Sequence, residues 1–512
     1  MRRRIAALAL AALTALSACT GQDTPDDDPT AYTPGTLRVL ASSELSDMAP
    51  VLEQVRERTG ITVRATYMGT LDAVDLLAQD KADQAYDAVW LASNDYLRLR
   101  PEVRKKVVSE TPIMTSPVAI GVRPATVRAL GWESGDVTWS QVEQAVRDGE
   151  LTYGMTDPAR SNSGFSTLVS VASALSGAQS ALTDADVREA APRLREFFSG
   201  QELTSGSSGW LASAYTRRGT VDALLNYESV LKGIPDLTVI RPTDGVVTAD
   251  YPLSSLAAAR ATAREDVRRL AEALRTPEIQ RAITERTFRR PVVVSVPPAT
   301  GLDPTRRREL PFPASRSVAE GLLDSYENEL RRPSRTVYVL DTSGSMRGDR
   351  LDRLKSALTG LTEDFRDREE VTLMPFGSDV KSVRTHVVDP ADPQSGLDAI
   401  RRDTRELEAA GDTAIYTSLE KAYGHLGSGE DAFTSIVLMT DGENTAGVTA
   451  QAFEAFHGSL TGGQRDIPVF PILFGDSDRS ELERIAELTG GRLFDAQRGS
   501  LDGAFEEIRG YQ

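Results

Sequence analysis

From Thr36 onward the chain alternates short apolar runs with longer amphipathic segments, and the alternation breaks and restarts after residue 300. "TLRVLAS", "ITVRATYMG" and "YDAVWLAS" predict strands, since short apolar and β-branched runs suit a pleated surface. Between them, "MAPVLEQVRERTG", which ends in Gly60, and "LDAVDLLAQDK" carry apolar residues at helical spacing. Strands and helices in strict alternation predict a parallel sheet with helices on its faces. The second series runs through "TVYVLD", "RLDRLKSALTGLTEDF", "VTLMPFG", "TAIYTSLEKAYGHL", "SIVLMTDG", "IPVFPILFG", "RSELERIAELTGG" and "RLFDA", and predicts a second, doubly wound sheet. Its strands "TVYVLD" and "TSIVLMTD" are almost continuously apolar, as strands buried on both faces must be, and each ends in Asp. In its first helix, Leu351, Leu354, Leu358, Leu361 and Phe365 make the buried stripe.

Length agrees with two sheets: the chain has 512 residues, and single cores stop growing at about 250 to 300 residues. The composition shifts divide it into a leader (1–18), a tether (19–35), a first domain (36–300), a linker with the amphipathic helix "VAEGLLDSYENELRR" (301–334) and a second domain (335–512). No repeat of 20 to 50 residues recurs. The charge, 58 basic against 75 acidic residues for a net of -17, disfavours a nucleic-acid partner or a general anionic-membrane surface.

The first residues modify that picture. Arg2, Arg3 and Arg4 precede "IAALALAALTAL", which is too short to span a bilayer and is flanked like an export signal. The following "LSAC", Leu16 to Cys19, resembles the lipobox of bacterial lipoproteins; this implies acylation of Cys19, with palmitate among the chains, and anchoring on the extracytoplasmic face of the cell membrane. The competing reading is a buried inert thiol. Cys19 is the sole cysteine, so no disulfide framework exists. "TGQDTPDDDPTAYTPG" has too little apolar surface to fold and reads as a flexible tether.

In the first domain, ligands should gather beyond the carboxyl ends of the strands, where Ser42, Ser43, Ser93 and Asn94 fall, facing a cleft. Ser161, Asn162 and Ser163 stand at a predicted helix start, where free amides favour an anion or carboxylate. Ser and Asn are also the preferred N-caps, so a cap and a ligand contact both stand. Tyr227 suits either a ligand contact or half-buried packing with its hydroxyl satisfied, and Glu228 either a solvated or a hinge carboxylate. The stretches "VLASSEL", "YMGTLDA", "WLASND", "TSPVAIGV", "TDPARSNSGFSTLVSVA" and "LLNYESV", in this order, resemble the periplasmic solute-binding proteins of the two-lobed, hinge-closing type (type 2), from about Thr36 to Pro297. The resemblance implies that the chain leaves the first lobe near "TSPVAIGV", returns near Asp250 to Ala259, and closes on a small-molecule ligand. It adds Thr70 and Ser116 to the candidate ligand contacts.

In the second domain, three loops at one sheet edge carry oxygen ligands: Asp341, Ser343 and Ser345 in "DTSGSM", Thr413 in "GDTAIY", and Asp441 in "MTDGENT". Asp341 alone would read as a strand-terminal turn cap. Ser343 as a nucleophile would need a base and an elbow, but there is no GxSxG, and His386, His425 and His457 fall in or beside predicted strands and helices. "DTSGS" also lacks the second Asp of a phosphoaspartate enzyme. An all-oxygen set suits a hard cation and argues against Zn²⁺ or copper. These loops, with the late "LERIAELTGGRLF", resemble the von Willebrand factor A domain and its metal-ion-dependent adhesion site, over Arg335 to Gln512. The resemblance implies a Rossmann-like fold and Mg²⁺, or Mn²⁺ or Ca²⁺, held directly by Ser343 and Ser345, directly or through water by Thr413, with Asp341 and Asp441 holding coordinated waters or approaching the ion. It implies an open position that accepts a Glu or Asp from a protein partner. The expectation is a membrane-anchored extracytoplasmic binding protein rather than an enzyme; the alternatives are the solute-binding component of an ABC-type importer and a surface adhesin.

Overall fold

The computed structural model describes residues 35–79, 84–219, 221–362, 365–366, 368–427, 432–475, 477–497 and 501–511. The leader, the tether and Cys19 lie outside them. Among the described residues no helix is long and apolar enough to cross a membrane.

The strands in chain order are β1 (Thr36–Ser42), β2 (Thr62–Met68), β3 (Ala88–Trp90), β4 (Val107–Pro112), β5 (Met114–Val122), β6 (Tyr153–Thr156), β7 (Gln201–Ser205), β8 (Ala223–Tyr227), β9 (Thr238–Ile240), β10 (Thr248–Ala249), β11 (Pro252–Leu256), β12 (Arg290–Pro291), β13 (Ser334–Asp341), β14 (Glu370–Phe376), β15 (Arg384–Val387), β16 (Phe433–Thr440), β17 (Val469–Leu473) and β18 (Phe494–Asp495). Among the described residues they form three sheets. The first lobe has the order β2-β1-β3-β11-β4, parallel except where β11 runs against β3 and β4. The second lobe has the order β10-β5-β8-β6-β7, with β9 and β12 also on β5.

The chain thus crosses to the second lobe at β5 and returns at β11, where the resemblance implies the crossings, and it touches the second lobe again at β12, which was not expected. Glu228 is a hinge carboxylate. It is only 2% exposed and accepts from Arg290 Nε at 2.7 Å and Nη2 at 2.9 Å, which fixes β12 to the end of β8. Tyr251, between β10 and β11, has φ of 42°, a strained left-handed value for a non-glycine residue. Residues 301–334, read as a linker, run along the first domain: Leu310, Ala319, Leu322, Tyr326 and Leu330 join its core, and the Tyr326 hydroxyl donates to Gln201 Oε1 at 3.0 Å. The amphipathic stripe of the helix Arg316–Ser325 explains this placement, since its apolar side has a face to bury.

The third sheet has the order β15-β14-β13-β16-β17-β18, all parallel except β15. Alternation across β13 explains its unbroken apolar run. Val337 and Val339 pack on one face, with Ile415, Leu419 and Phe453, while Tyr338 and Leu340 pack on the other, with Leu354, Leu358 and Phe505.

This second core does not stop at the domain boundary. It continues into the second lobe through Leu203, Trp210, Leu211 and Tyr215. Trp210 meets Tyr511 edge to face at 4.9 Å and lies 6.0 Å from Phe470. Beside this contact, Arg366 Nη2 donates to Asp157 Oδ2 at 3.0 Å and Arg366 Nε to Glu327 Oε1 at 2.9 Å. Burial works against the ionised Asp157, yet the Arg366 and Arg331 guanidiniums outweigh it and hold this carboxyl below its ordinary range. Among the described residues, the third sheet therefore shares its core with the second lobe.

Candidate functional site

β13 and β16 run side by side with Leu340 opposite Met439, so the loops that follow them open on one edge of the sheet. Connections leave β13 toward β14 on one side and reach β16 on the other, which makes this edge the switch point where sites form in such sheets. Asp341 closes β13 and is fully buried. Its Oδ1 accepts the Ser343 amide at 2.8 Å and its Oδ2 the Thr440 hydroxyl at 2.6 Å. The first bond is an Asx turn, and it curls the loop so that the Ser343 and Ser345 hydroxyls lie 2.9 Å apart.

Ser345 in turn donates to Asp441 Oδ1 at 2.8 Å, and Arg350 Nη1 holds Asp441 Oδ2 at 2.5 Å. Thr413 reaches the same edge from the third loop. Its amide bonds the Thr445 hydroxyl at 3.0 Å, and its Oγ1 is 3.9 Å from where a Cβ on Gly442 would sit, beside the Asp441 turn. Gly411, at φ of 91°, lets that loop approach closely enough for its carbonyl to accept the Gly344 amide at 2.8 Å.

Burial pushes the Asp341 carboxyl up; bonds from Thr440 and Ser343 oppose the rise, and the Asp441 charge adds to it. The edge thus collects two carboxylates and three hydroxyls, and none of the three histidines has a contact with them. His386 Nε2 pairs with Asp403 Oδ2 at 2.7 Å, His425 lies against Thr372 and Thr385, and His457 packs on Phe453 and Tyr423. Ser343 has no base, whereas an all-oxygen set around a destabilised buried carboxylate fits a hard divalent cation. When bound, such an ion supplies a Lewis-acidic centre for an external carboxylate oxygen.

Sequence reasoning missed Thr440, Arg350 and Lys381. Lys381 Nζ donates to the Thr342 carbonyl at 2.7 Å, and burial holds it below the ordinary lysine range. Arg350 left no signal, because Asp349 and Asp352 in the same first turn already answer a cation there.

The interlobe residues are arranged differently. The Ser42 hydroxyl lies 2.6 Å from that of Thr70 and accepts the Ala92 amide at 2.9 Å. Ser93 accepts the Asp95 amide at 3.1 Å, and Asn94 Nδ2 donates to Ser254 at 3.0 Å. Ser42 and Asn94 thus bridge separate segments of the first lobe, Ser93 closes a local turn, and Asn94 Oδ1 is buried without a hydrogen-bond partner. Ser43 opens the short 3-10 helix Ser43–Met48 and is half-buried. Ser116, on the hinge strand β5, is buried against Ser229 at 3.0 Å.

The helix Asn162–Ser176 does start where predicted. Its N-cap is Ser161, whose side chain makes no capping bond. Instead Ser161 and Thr156 both contact Ser163, at 3.0 and 2.7 Å, and Asn162 Nδ2 donates to the Tyr227 hydroxyl at 2.6 Å. Tyr227 is fully buried rather than half-buried, with its ring 6.1 Å from that of Tyr251.

The lobes touch. The Arg160 carbonyl occupies the place a Cβ on Gly69 would take, and Arg160 Nη1 reaches Asp72 Oδ1 at 3.6 Å. Gly69 has φ of -61°, which alanine adopts freely, and the Asp72 carboxylate 2.8 Å from that Cβ position is the end of a side chain that can turn aside, so the backbone contact with the other lobe is what requires glycine. Gly69→Ala should therefore fold with a stability change within about 0.5 kcal/mol and yet be unable to bring the lobes this close. Small-angle scattering should give a larger radius of gyration than wild type; equal radii would refute the expectation.

Residues 37–289 match the family model described as "Bacterial extracellular solute-binding protein", and residues 336–443 that of the von Willebrand factor type A domain. Among curated proteins, the inter-alpha-trypsin inhibitor heavy chain H1 of Sus scrofa is 30% identical over 176 residues, 32% of this chain and 19% of that protein. An uncharacterized protein of Synechocystis sp. is 30% identical over 192 residues, 37% of this chain and 42% of that protein. The chain thus spans less than half the length of these curated relatives. Among solved structures, the periplasmic binding protein AfuA from Actinobacillus pleuropneumoniae aligns with a TM-score of 0.47 at 11% identity, covering 58% of this chain and 98% of that one. A von Willebrand factor type A structure from Catenulispora acidiphila aligns with a TM-score of 0.30 at 20% identity, covering 35% and 42%.

Proposed function

We infer that this chain, in which a two-lobed bacterial solute-binding domain is followed by a von Willebrand factor A domain, is an extracytoplasmic binding protein that reports the state of its interlobe cleft to a protein partner. The observation that carries the reading is the linked set Asp341, Ser343, Ser345 and Asp441, with Thr413 at the same edge. These five residues would hold Mg²⁺, or Mn²⁺ or Ca²⁺, and leave room for a partner's Glu or Asp. Arg350 neutralises part of the Asp441 charge, which leaves the bound ion more electropositive toward that carboxylate. A small molecule enters between the lobes, the lobes close, and the docked second domain moves with the second lobe. Acylation of Cys19 would keep the whole at the cell membrane.

The test is capture of membrane-extract proteins by the immobilised full chain in Mg²⁺ and in EDTA, read by mass spectrometry alongside any co-purifying small molecule. A protein retained only with Mg²⁺, and lost from Ser343→Ala, supports the reading. Retention indifferent to both would end it. The match over residues 37–289 also favours a second reading, the solute-binding component of an importer. In that case the retained protein would be a permease, and its retention would not depend on Mg²⁺.

A further inference from the structure

The turn Asp157–Ser161, between β6 and the helix Asn162–Ser176, belongs to the second lobe and touches both the first lobe and the domain of the third sheet. It is folded around Asp157, which is fully buried. The Asp157 amide continues the pairing of β6 with β7 by donating to the Ser205 carbonyl at 2.8 Å, and its own carbonyl accepts the Arg160 and Ser161 amides at 3.2 and 2.8 Å. Its carboxylate divides. Oδ1 accepts the Ala159 amide at 2.9 Å, inside the turn, while Oδ2 accepts Arg366 Nη2 at 3.0 Å, from the segment that leads into β14. The other corner of the turn faces two ways. The Arg160 carbonyl and guanidinium meet Gly69 and Asp72 of the first lobe, and the Arg160 Cγ lies 3.4 Å from where a Cβ on Gly510 would sit, just past the helix Leu501–Arg509. That helix end has no slack: a Cβ on Gly510 would stand 2.7 Å from the Gly206 Cα, and the Tyr511 hydroxyl lies 3.2 Å from that of Ser207.

We propose that this turn couples the lobes to the third sheet, so that lobe closure tightens the docking of the von Willebrand factor A domain instead of merely carrying that domain along. The inference rests on the reading that the lobes open and close, and not on the metal edge. With the lobes in contact, Gly69 stops the Arg160 carbonyl and fixes the turn; Asp157 then holds Ala159 with one oxygen and Arg366 with the other, while the Arg160 side chain lies against Gly510. Opening removes the stop. A carboxylate shared between two donors cannot swing with a loosened turn and keep both bonds, since hydrogen bonds weaken steeply as their angle departs from linear. Coupling of this kind is reciprocal, so whatever loosens the third sheet also loosens the contact with the first lobe.

Hydrogen exchange of the full chain, read by mass spectrometry, tests this with Gly69→Ala, whose added Cβ meets Arg160 and Asp72 and nothing of the third sheet. Exchange in residues 501–511 should rise about fivefold or more over wild type. In return, Arg366→Gln should raise exchange in residues 69–78 by a similar factor while the first-lobe helix Ala49–Thr59 keeps the wild-type rate. Asp72→Asn, which weakens the Arg160 contact from the first lobe without adding bulk, should act in the same direction as Gly69→Ala and serves where that variant folds poorly. Arg100→Gln removes first-lobe ion pairs to Asp75 and Glu102 without reaching the turn, and should leave 501–511 unchanged. A rise at 501–511 in Arg100→Gln as large as in Gly69→Ala would mean general loosening and overturn the coupling. A larger radius of gyration in Gly69→Ala with 501–511 unchanged overturns the coupling and leaves lobe motion standing. If neither the radius nor the exchange changes in Gly69→Ala, lobe closure itself is refuted and the coupling with it.

Discussion

If the proposed edge holds Mg²⁺, the full chain is expected to gain thermal stability on adding the ion, and Asp341→Ala to remove that gain and to lower stability in EDTA as well. Two different losses are involved. The first is charge: one unit charge pair at about 4 Å and an effective dielectric of about 20 is worth about 4 kcal/mol, so the site should weaken by about two orders of magnitude or more. A ligand that binds only the folded state stabilises it by RT ln(1 + [L]/Kd), about 2.7 kcal/mol at 100 times Kd, so this weakening removes most of the Mg²⁺-dependent rise in Tm. The second loss is structural. Without Asp341, the buried Ser343 amide and Thr440 hydroxyl lose their acceptor, at a cost of about 1 to 3 kcal/mol each. Asp341→Asn separates the two, because it retains an acceptor for Ser343 while giving up the charge. Differential scanning calorimetry with and without Mg²⁺ should show Asn near wild type in EDTA and flat toward Mg²⁺. A full Mg²⁺ response in either variant would remove Asp341 from the site.

The second large effect is expected at Trp210. Truncating a large buried aromatic side chain costs about 3 to 5 kcal/mol, and here the cavity would open between domains, against Tyr511 and Phe470. Because those partners belong to a different sheet, part of the loss can be relieved by undocking rather than by unfolding. Trp210→Ala should therefore split one calorimetric transition into two and expose the segment 331–333 to limited proteolysis. Arg366→Ala should act in the same direction, since it leaves Asp157 buried without its ion-pair partner. A single transition at the wild-type temperature in Trp210→Ala would mean that the two bodies do not depend on this contact.

The two architectures were legible in the sequence because period and strand burial are local: "TVYVLD" and "TSIVLMTD" can only be central strands, and an Asp at each end falls where loops converge. Asp341, Ser343, Ser345, Thr413 and Asp441 could be proposed together for that reason. Thr440 and Arg350 were missed because a residue's partner is set by register and helix phase. Thr440 reaches Asp341 across 99 residues of sequence, and nothing in "LMTDG" says which way its hydroxyl turns. The first domain was legible less far. Ser42, Ser93 and Asn94 occupy the predicted strand ends, but composition does not reveal that Ser42 and Ser93 accept backbone amides and that Asn94 bonds Ser254. The docking surface was invisible altogether. "GWLASAYTRRG" reads as any amphipathic helix, and only the fold shows that its tryptophan meets Tyr511, about 300 residues on.

The placement of the third sheet on the second lobe has a mechanical consequence. The first described strand, β1, lies in the first lobe, whereas the loop edge after β13 and β16 rides on the second, so the hinge at β5, β11 and β12 lies between β1 and that edge. A point about 30 Å from that axis, two radii of gyration for a domain of this size, sweeps about 0.5 Å for every degree of lobe rotation. The hinge is then a fulcrum and the third sheet its long arm, so that, on the function proposed above, a small closure of the lobes becomes a displacement of several ångströms at the far edge of the third sheet.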